Sequence, residues 1–261
     1  MNLSLSGKNA LICGSSRGIG FAVAKELALL GANCTLMARD EKSLLDAVKS
    51  LDTSLRQSHE YIVVDFSHAM DVKKSIELHV AGEPVHILVN NSGGPPAGPI
   101  TEASIDLFEK YFRQHVIGNQ IMVQGCLPSM KAAGYGRIIN VVSTSVKVPI
   151  QNLGVSNTIR GAVASWAKSL SNEVAEFGIT VNNVLPGYTK TERLEILIAN
   201  TAEKRQMIMK DVEKEMIREI PAKRFAEAEE IAALAAFLAT PAAGYINGTS
   251  IPVDGGRTGS I

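Results

Sequence analysis

Three glycines fall within seven residues near the start of the chain, at Gly14, Gly18 and Gly20. An apolar run precedes them, and a segment with apolar residues at helical spacing follows, which predicts a strand, a tight turn and a helix. Such a turn lets the backbone approach a ligand, and the free N–H groups of the helix start attract a pyrophosphate. We therefore predict an anion site here. The alternative is a tight strand–helix loop without a ligand, because this G-x-x-x-G-x-G spacing alone is a weak signal.

Other residues that could bind or react stand at the ends of later apolar runs. They are Arg39, Asp65, Asn90, Ser143 and Pro186. Ligands of a parallel sheet bind beyond the carboxyl ends of its strands. If the apolar runs are parallel strands, these residues therefore share one edge of the sheet with the glycine turn.

Strand-like and helix-like segments do alternate along the chain, which is typical of a parallel sheet covered by helices on both faces. The predicted strands span residues 9–13, 33–37, 61–64, 85–89, 137–142, 179–185 and 250–253. The predicted helices span about 21–30, 40–54, 69–80, 105–132, 152–177, 192–217 and 227–239, with a break near Gly118. This pattern and the length predict a single α/β domain over residues 1–261.

Composition excludes several classes of partner. The formal net charge is zero, so nothing favours a nucleic acid or a membrane surface as partner. No apolar run has membrane-spanning length, and residues 1–8 lack the apolar core of a secretion signal. The cysteines, Cys13, Cys34 and Cys126, are far apart, which indicates buried thiols in a reducing compartment and no metal site. We expect a cytoplasmic protein.

Four segments resemble, in order, those of the short-chain dehydrogenase/reductase family, and the resemblance covers essentially the whole chain. They are the glycine turn 14–20, with Cys13 where the family usually has threonine; Asn-Asn-Ser-Gly at 90–93; Pro-Gly-Tyr-Thr-Lys-Thr at 186–191; and Asp-Gly-Gly at 254–256. The resemblance implies a doubly wound Rossmann fold with seven parallel strands and a nicotinamide cofactor.

The same resemblance implies where the cofactor, the substrate and a second subunit would lie. The cofactor contacts fall on Gly14, Ser16, Arg17, Gly18, Ile19, Gly20, Arg39, Asp65, Phe66, Asn90, Ser92, Gly93, Arg160, Pro186, Gly187, Thr189 and Thr191. A helical lid over the substrate falls on 190–222. Helices 105–132 and 152–177 would pair subunits into a homo-oligomer, a tetramer or a dimer, and small residues on the second helix would permit close approach.

The end of the second predicted strand bears on the choice between NAD and NADP. The carboxylate that holds the ribose diol of NAD would align with Ala38, which has none. Arg39 follows, and Arg17 lies in the glycine turn; a guanidinium binds phosphate through two parallel hydrogen bonds. We therefore predict NADP(H), with Asp40 as the N-cap of the next helix. The alternative is that Arg39 is a solvated surface charge.

The catalytic positions depart from the family pattern of Asn, Ser, Tyr and Lys. Counted from Gly136-Arg137, these positions fall on His115, Ser143, Ser156 and Arg160. Only the serine keeps the family's residue. No tyrosine lies between residues 149 and 177, so no shift of register restores the missing phenol.

Ketone reduction needs a hydride at carbon and a proton at oxygen. A phenol, with a reference pKa of about 10, donates well once a cation lowers that pKa, whereas the hydroxyl of Ser156 is a much weaker acid. Arg160 can hold the nicotinamide ribose or a developing alkoxide, and Ser143 can orient the carbonyl. The candidate acids are His115, with a reference pKa of about 6.5, and Tyr188 beside the expected nicotinamide pocket. Alternatively, His115 is a packed helix residue and Tyr188 a pocket wall.

Two functions therefore stay open. The first is an NADP(H)-dependent oxidoreductase that reduces a carbonyl group, 3-oxoacyl-like or otherwise apolar, or an activated double bond, with a non-standard proton donor. The second is an NADP(H)-binding sensor or scaffold with little or no turnover. We favour the first because Ser143, a basic residue at 160 and an apolar lid are kept. The Leu, Ile and Met residues of the lid suit an apolar substrate, although ordinary amphipathic packing also explains them.

Overall fold

A seven-stranded sheet forms the centre of the computed structural model, which describes residues 1–260. Its strands are β1 (Asn9–Cys13), β2 (Asn33–Ala38), β3 (His59–Val63), β4 (Ile87–Asn90), β5 (Gly136–Val141), β6 (Ile179–Pro186) and β7 (Ser250–Val253). All neighbouring strands pair parallel, in the order β3-β2-β1-β4-β5-β6-β7. The order reverses between β1 and β4, where a doubly wound sheet opens its ligand crevice. The predicted Rossmann fold is confirmed; Ile261, the end of the predicted domain, lies outside the described residues.

Helices cover both faces of this sheet. They are α1 (Gly18–Leu29), α2 (Glu41–Lys49), α3 (Ala69–Gly82), α4 (Ile105–Phe112), α5 (Gly118–Ala133), α6 (Gly154–Val174), α7 (Glu192–Arg205), α8 (Met209–Arg218) and α9 (Ala228–Ala239). Helix α2 begins as predicted, because the Asp40 carboxylate accepts a 2.7 Å hydrogen bond from the Ser43 N–H. It ends five residues before the predicted boundary at 54.

Two of the predicted long helices are divided. The segment 105–132 consists of α4, a π-helical turn over Arg113–Ile117, and α5. A π turn adds one residue to the helical period, so it re-aims the side chains that follow. The segment 192–217 consists of α7 and α8, because Gln206 has left-handed backbone (φ 53°) and ends α7. These breaks shape the two helical walls of the site described below.

The core has one layer on each side of the sheet. Alternate residues of β1 serve the two layers: Ala10 and Ile12 pack with α1 and α9, whereas Leu11 and Cys13 pack with α3 and α5. A strand buried on both faces must be apolar at consecutive positions, which is the pattern that predicted a parallel sheet.

Side-chain amides link four neighbouring strands across the sheet. Asn90 donates to Asn140 at 2.9 Å, Asn140 donates to Asn183 at 2.9 Å, and Asn183 donates to the Ser250 hydroxyl at 3.0 Å. These residues are paired partners on β4, β5, β6 and β7. The ladder therefore ties four strands together beside the crevice.

The cysteines, the candidate metal ligands and the helices of residues 1–260 bear on further expectations from the sequence. Cys13, Cys34 and Cys126 are free and buried; burial raises the pKa of Cys13 and Cys34 to about 12 and also raises that of Cys126. No group of three or more His, Cys, Asp or Glu side chains stands where it could hold a metal ion. No helix in this part of the chain is both long and apolar enough to cross a membrane.

Candidate active site

The glycine turn is held in a conformation that only small residues permit. Gly14 and Gly18 have φ of +59° and +60°, where a side chain is strained. A Cβ on Gly20 would lie 2.3 Å from the Gly14 carbonyl oxygen. The Asn91 amide donates to the carbonyls of Cys13 (3.3 Å) and Gly14 (3.0 Å). The loop after β4 thus locks the turn after β1.

The start of α1 offers its N–H groups to a ligand. Its N-cap, Arg17, has extended backbone and makes no side-chain capping hydrogen bond, and the first turn carries no acidic residue. A helix normally satisfies these N–H groups with a capping side chain. The free N–H groups and the positive helix end fit the pyrophosphate of a dinucleotide.

The two predicted phosphate ligands both reach carboxylates. Arg17 pairs with Glu192 of α7 across the turn. The side chain of Arg39 is 73% exposed and lies 3.9 Å from the Asp65 carboxylate. A pair at this distance and exposure is weak, so Arg39 is free to turn to a phosphate.

A cleft of about 1720 Å³ opens at the carboxyl edge of the sheet. The glycine turn, the loop after β4, the segment 148–153 and the helices α7 and α8 line it. The predicted site residues in its wall are Gly14, Arg17, Gly18, Ile19, Ser92, Gly93, Tyr188 and Thr191. The structure therefore brings the turn, the β4 loop and the lid segment together around one space.

The remaining predicted cofactor residues lie outside this wall. They are Ser16, Gly20, Arg39, Asp65, Phe66, Asn90, Arg160, Pro186, Gly187 and Thr189. Phe66 packs against the core, the Asn90 amide is committed to the strand ladder, and the Thr189 hydroxyl donates to the Gly187 carbonyl at 3.1 Å. These three side chains support the site from behind.

Ser156 and Arg160 lie one turn apart on α6. Ser156 is buried, and the Arg160 guanidinium donates through Nη1 to the Val141 carbonyl at the end of β5, at 3.1 Å. Burial, with a contribution from Arg193, lowers the pKa of Arg160 to about 10, so it stays cationic at neutral pH. Ser143 caps the short helix that follows β5, since its Oγ accepts from the Ser145 N–H at 3.1 Å.

His115 is built into the wall behind the β4 loop. It is 2% exposed, and its Nε2–H donates to the Gly93 carbonyl at 3.1 Å while the Ser92 hydroxyl donates to Nδ1 at 3.1 Å. Burial, reinforced by Arg160, lowers its pKa to about 2. A neutral imidazole with both nitrogens hydrogen-bonded is a poor proton donor to a substrate. The geometry therefore argues against His115 as the acid and favours the alternative that His115 is a packed helix residue.

Tyr188 lines the cleft, and Arg257 holds its ring. The Arg257 guanidinium lies 4.3 Å from the ring centre, and its Nη2 donates to the Tyr188 hydroxyl at 3.1 Å. Burial raises the pKa of Tyr188, and the Arg257 charge opposes that rise. The phenol is therefore protonated, and Tyr188 is one of the residues that line the cleft.

Comparison with known proteins decides the family. The family model described as enoyl-(acyl carrier protein) reductase matches residues 14–258, which include all four recognised segments. The chain belongs to the short-chain dehydrogenase/reductase family. D-beta-hydroxybutyrate dehydrogenase of Rhizobium meliloti (strain 1021) is 33% identical, over 96% of this chain and 98% of that protein. The NADPH-dependent reductase BacG of Bacillus subtilis (strain 168) is 30% identical, over 98% of this chain and 100% of that protein.

The fold matches solved structures of this family equally well. The L-sorbose reductase from Gluconobacter frateurii, crystallised with NADPH and L-sorbose, superposes with a TM-score of 0.93 at 30% identity, covering 100% of both chains. The short-chain dehydrogenase/reductase relatives are oxidoreductases, and this chain is an oxidoreductase of the same kind.

Three residues of this short-chain oxidoreductase site did not stand among the predicted contacts. Asn91 and Tyr111 line the cleft, and Arg193 projects from the first turn of α7. Asn91 is part of the recognised 90–93 segment. Arg193 carries a weak signal, because a cation is unfavourable at a helix N-terminus. Tyr111 carries none, since only the fold brings α4 to the cleft.

Proposed function

We propose that this short-chain oxidoreductase is an NADP(H)-dependent reductase of a carbonyl group or an activated double bond. The substrate is apolar, 3-oxoacyl-like or similar, and its proton comes from a group other than the tyrosine of the family pattern. The observation that carries this proposal is the uncapped glycine turn, which faces a cleft with room for a dinucleotide and a substrate.

The chain's own residues fit the cofactor at each end. NADPH, when bound, supplies the hydride. The first-turn N–H groups of α1 hold the pyrophosphate, and Arg39, with Arg17 released from Glu192, binds the 2′-phosphate. Arg160 holds the nicotinamide ribose. Two related proteins support the choice of NADP(H), since one is named an NADPH-dependent reductase and another was crystallised with NADPH.

The substrate carbonyl is polarised by Ser143 and Arg160 and protonated by a phenol. Arg160 stays cationic and stabilises negative charge that develops on the substrate oxygen. Tyr188 is the proposed donor, because it lines the cleft in its protonated form and the Arg257 guanidinium at its hydroxyl would stabilise the phenolate left after proton transfer. Ser156 takes the place of the family's tyrosine and has no proton-transfer role in this scheme.

Helices α7 and α8 form the proposed lid, within residues 190–222. Their facing sides share an apolar cluster that includes Leu194, Ile198 and Val212. Ile196 and Leu197 line the cleft. These two side chains offer an apolar substrate a surface to pack on, beside the charged residues that α7 also contributes to the cleft.

Cofactor titration and turnover test the proposal together. NADPH and NADH are titrated against the purified protein, and NADPH oxidation is then followed with a panel of ketones, 3-oxoacyl thioesters and enoyl compounds. We expect tighter binding of NADPH and turnover of at least one apolar member. Equal or tighter binding of NADH contradicts the roles of Arg17 and Arg39. Tight NADPH binding without any turnover supports the second function, an NADP(H)-binding sensor or scaffold.

The proposed assembly is a homo-oligomer, a tetramer or a dimer, built on α4, α5 and α6. Ile105 and Phe112 of α4 are 72% and 42% exposed, and such apolar side chains mark an interaction surface. A Cβ on Gly161 of α6 would meet nothing within 4 Å, so a second helix has room to approach. Ala167, another small residue of α6, is buried in the chain's own core and is therefore not part of the proposed contact between subunits. A monomer in light scattering at micromolar concentration contradicts this assembly.

The proposed location is the cytoplasm, as the sequence predicts. The three free, buried thiols are typical of a reducing compartment. Fractionation of cells that produce the tagged protein tests this, and recovery outside the cytoplasmic fraction contradicts it.

A further inference from the structure

The arginines in the cleft wall differ in their partners. Within residues 1–260, four arginines line the cleft, and three of them pair with a glutamate. The pairs are Arg17 with Glu192, Arg205 with Glu215 at 2.8 Å, and Arg257 with Glu219 at 2.8 Å. The fourth, Arg193, reaches no carboxylate of the described chain. It donates only to the carbonyls of Gly94 (3.2 Å) and Pro95 (3.1 Å).

A second guanidinium without a carboxylate stands beside it. A Cβ added to Gly94 would lie 3.0 Å from Nη2 of Arg160 and 3.1 Å from Nη2 of Arg193. Both nitrogens therefore lie close to the position that a Gly94 side chain would take, and close to each other. The protein hydrogen bond of Arg160 goes through Nη1 to Val141, so most of its N–H groups keep no protein acceptor among the described residues.

Two neighbouring cations without an anion are unfavourable at a partly buried site. A carboxylate placed between them would offset the repulsion between the two charges and accept hydrogen bonds from both guanidinium groups. The cofactor's pyrophosphate has its own position at the uncapped start of α1. The anion that would pair with these two arginines is therefore expected to come from the substrate.

We propose that Arg193, together with Arg160, binds the carboxylate of an acidic substrate above Gly94. The substrate class is then an oxo acid or an unsaturated acid with an apolar chain, and a neutral ketone is disfavoured. This inference rests on the proposed function for the reaction, but the anion site itself is independent of turnover. The carboxylate also joins α7 to the β4 loop, because Arg193 already spans them through Gly94 and Pro95.

Calorimetric titration of matched acid–amide pairs tests the site without any reaction. Straight-chain carboxylates from propanoate to octanoate, and the amide of each, are titrated into the protein with and without NADPH. We expect at least one acid to bind roughly tenfold or more tightly than its amide, the discrimination expected for a hydrogen bond to a charged group. If every acid binds like its amide, the proposal is wrong.

Variants separate the carboxylate site from a phosphate site of the cofactor. Arg193→Gln should remove the preference for the acid while the Kd of NADPH changes less than about twofold. Arg205→Gln, which breaks a glutamate-paired arginine of the same cleft, should keep the preference. A weaker NADPH complex of Arg193→Gln with an unchanged acid preference would overturn the proposal and assign Arg193 to the cofactor. Arg193→Lys, which keeps the charge, should retain part of the preference and serves if the glutamine variant fails to fold.

A failure of this site and a failure of the proposed function give different results. If NADPH binds and some substrate turns over without an acid preference, only the carboxylate site is wrong. If the acid preference appears but no substrate turns over, only the reductase assignment is wrong.

Discussion

The cofactor side and the catalytic side of the cleft are built by different means. On the cofactor side, backbone N–H groups at the start of α1 and the glycines of the turn form the proposed anion site. On the proposed catalytic side, individual side chains supply the chemistry: Arg193 of α7 lines the cleft, and Arg160 of α6 approaches it at Gly94. A backbone-made site tolerates little change, because its shape depends on the absence of side chains. A site made by side chains can change its chemistry while the fold stays the same.

We infer such a change on the catalytic side of this chain. Ser156 and Arg160 stand where the resemblance places the family's tyrosine and lysine, one turn apart on an uninterrupted α6. His115, where the resemblance places the family's asparagine, is part of the supporting wall. We infer that the cofactor is bound in the family's way and that the proton follows a different route.

The largest effect on cofactor binding is expected from filling the turn. In Gly20→Val the new side chain would begin 2.3 Å from the Gly14 carbonyl oxygen, so the turn must open. We expect the Kd of NADPH to rise roughly a hundredfold or more and the melting temperature to fall. Gly82→Ala is the control, because a Cβ there meets nothing within 4 Å. An unchanged Kd in Gly20→Val would show that the turn does not hold the cofactor.

The next prediction concerns turnover and the loss of the Arg160 guanidinium. Arg160→Met should lower kcat on the order of a hundredfold, the usual cost of losing one donor that stabilises a developing oxyanion. The measurement is kcat at saturating NADPH on a substrate identified in the panel. Lys168→Met, at an exposed position of the same helix, should keep kcat. A loss below about fivefold in Arg160→Met is incompatible with the role given to Arg160.

Replacing Arg39 tests how much a single positive charge contributes to NADPH binding. Arg39→Asp should weaken NADPH binding by about 1.5–3 kcal/mol, the range for hydrogen bonds to charged groups. The Kd of NADH is the internal control and should not rise, because NADH lacks the 2′-phosphate. If both cofactors weaken equally, the variant has disturbed the site in general and the guanidinium does not select NADP(H).

The low pKa of His115 makes stability depend on pH. Its pKa is about 2 in the folded protein and about 6.5 when unfolded. Between these values only the unfolded chain binds the proton, so the stability that depends on neutral His115 is full above pH 6.5 and is lost as the pH falls. The expected slope is about 1.4 kcal/mol per pH unit.

Denaturant unfolding of the wild type and of His115→Gln, followed by Trp166 fluorescence at pH 7, 6 and 5, measures this slope. The difference in unfolding free energy between the two proteins should shrink as the pH falls. A difference that stays constant would show that His115 titrates alike in both states and would reopen its role as an acid.

The smallest effect is expected at Ser156. Because the scheme gives its hydroxyl no proton-transfer role, Ser156→Ala should lower kcat only a few-fold, through packing. Tyr188→Phe is the informative partner variant and should lower kcat by roughly 10²–10⁴, the contribution of a positioned acid. If Ser156→Ala is the more damaging of the two, the proton route runs through Ser156.

The regular parts of the fold were predictable because they depend on local patterns. All seven strands lie within two residues of their predicted starts and ends, since each contains a run of mostly apolar residues. The ends of α2 and of α7 were missed. At Gln206, which ends α7 with left-handed backbone, the sequence has neither glycine nor proline. The chain leaves the helix there because α7 and α8 bury a shared apolar cluster, and such tertiary packing overrides local propensity.

For the site too, the residues set by local motifs were predictable and those set by tertiary packing were not. The glycine turn, the β4 loop and the Asp40 cap follow from short motifs, so the sequence predicts them. The approach of Arg193 to Arg160 across Gly94 joins residues far apart in the chain, and no local pattern indicates it. The burial of His115, which removes it as an acid, also depends on the fold around it.

The measurement that tests the central claim most directly compares the residues that this chain has at positions 156 and 160 with the tyrosine and lysine of the family pattern. Wild-type protein and the double variant Ser156→Tyr/Arg160→Lys are assayed side by side for NADPH oxidation over the same panel of carbonyl and enoyl substrates. We predict that the wild type turns over at least one substrate and that the double variant loses that activity, because the phenol and the lysine disturb a site organised around Arg160. An inactive wild type together with an active double variant would contradict this, and would identify the protein as an NADP(H) binder in an otherwise intact reductase frame.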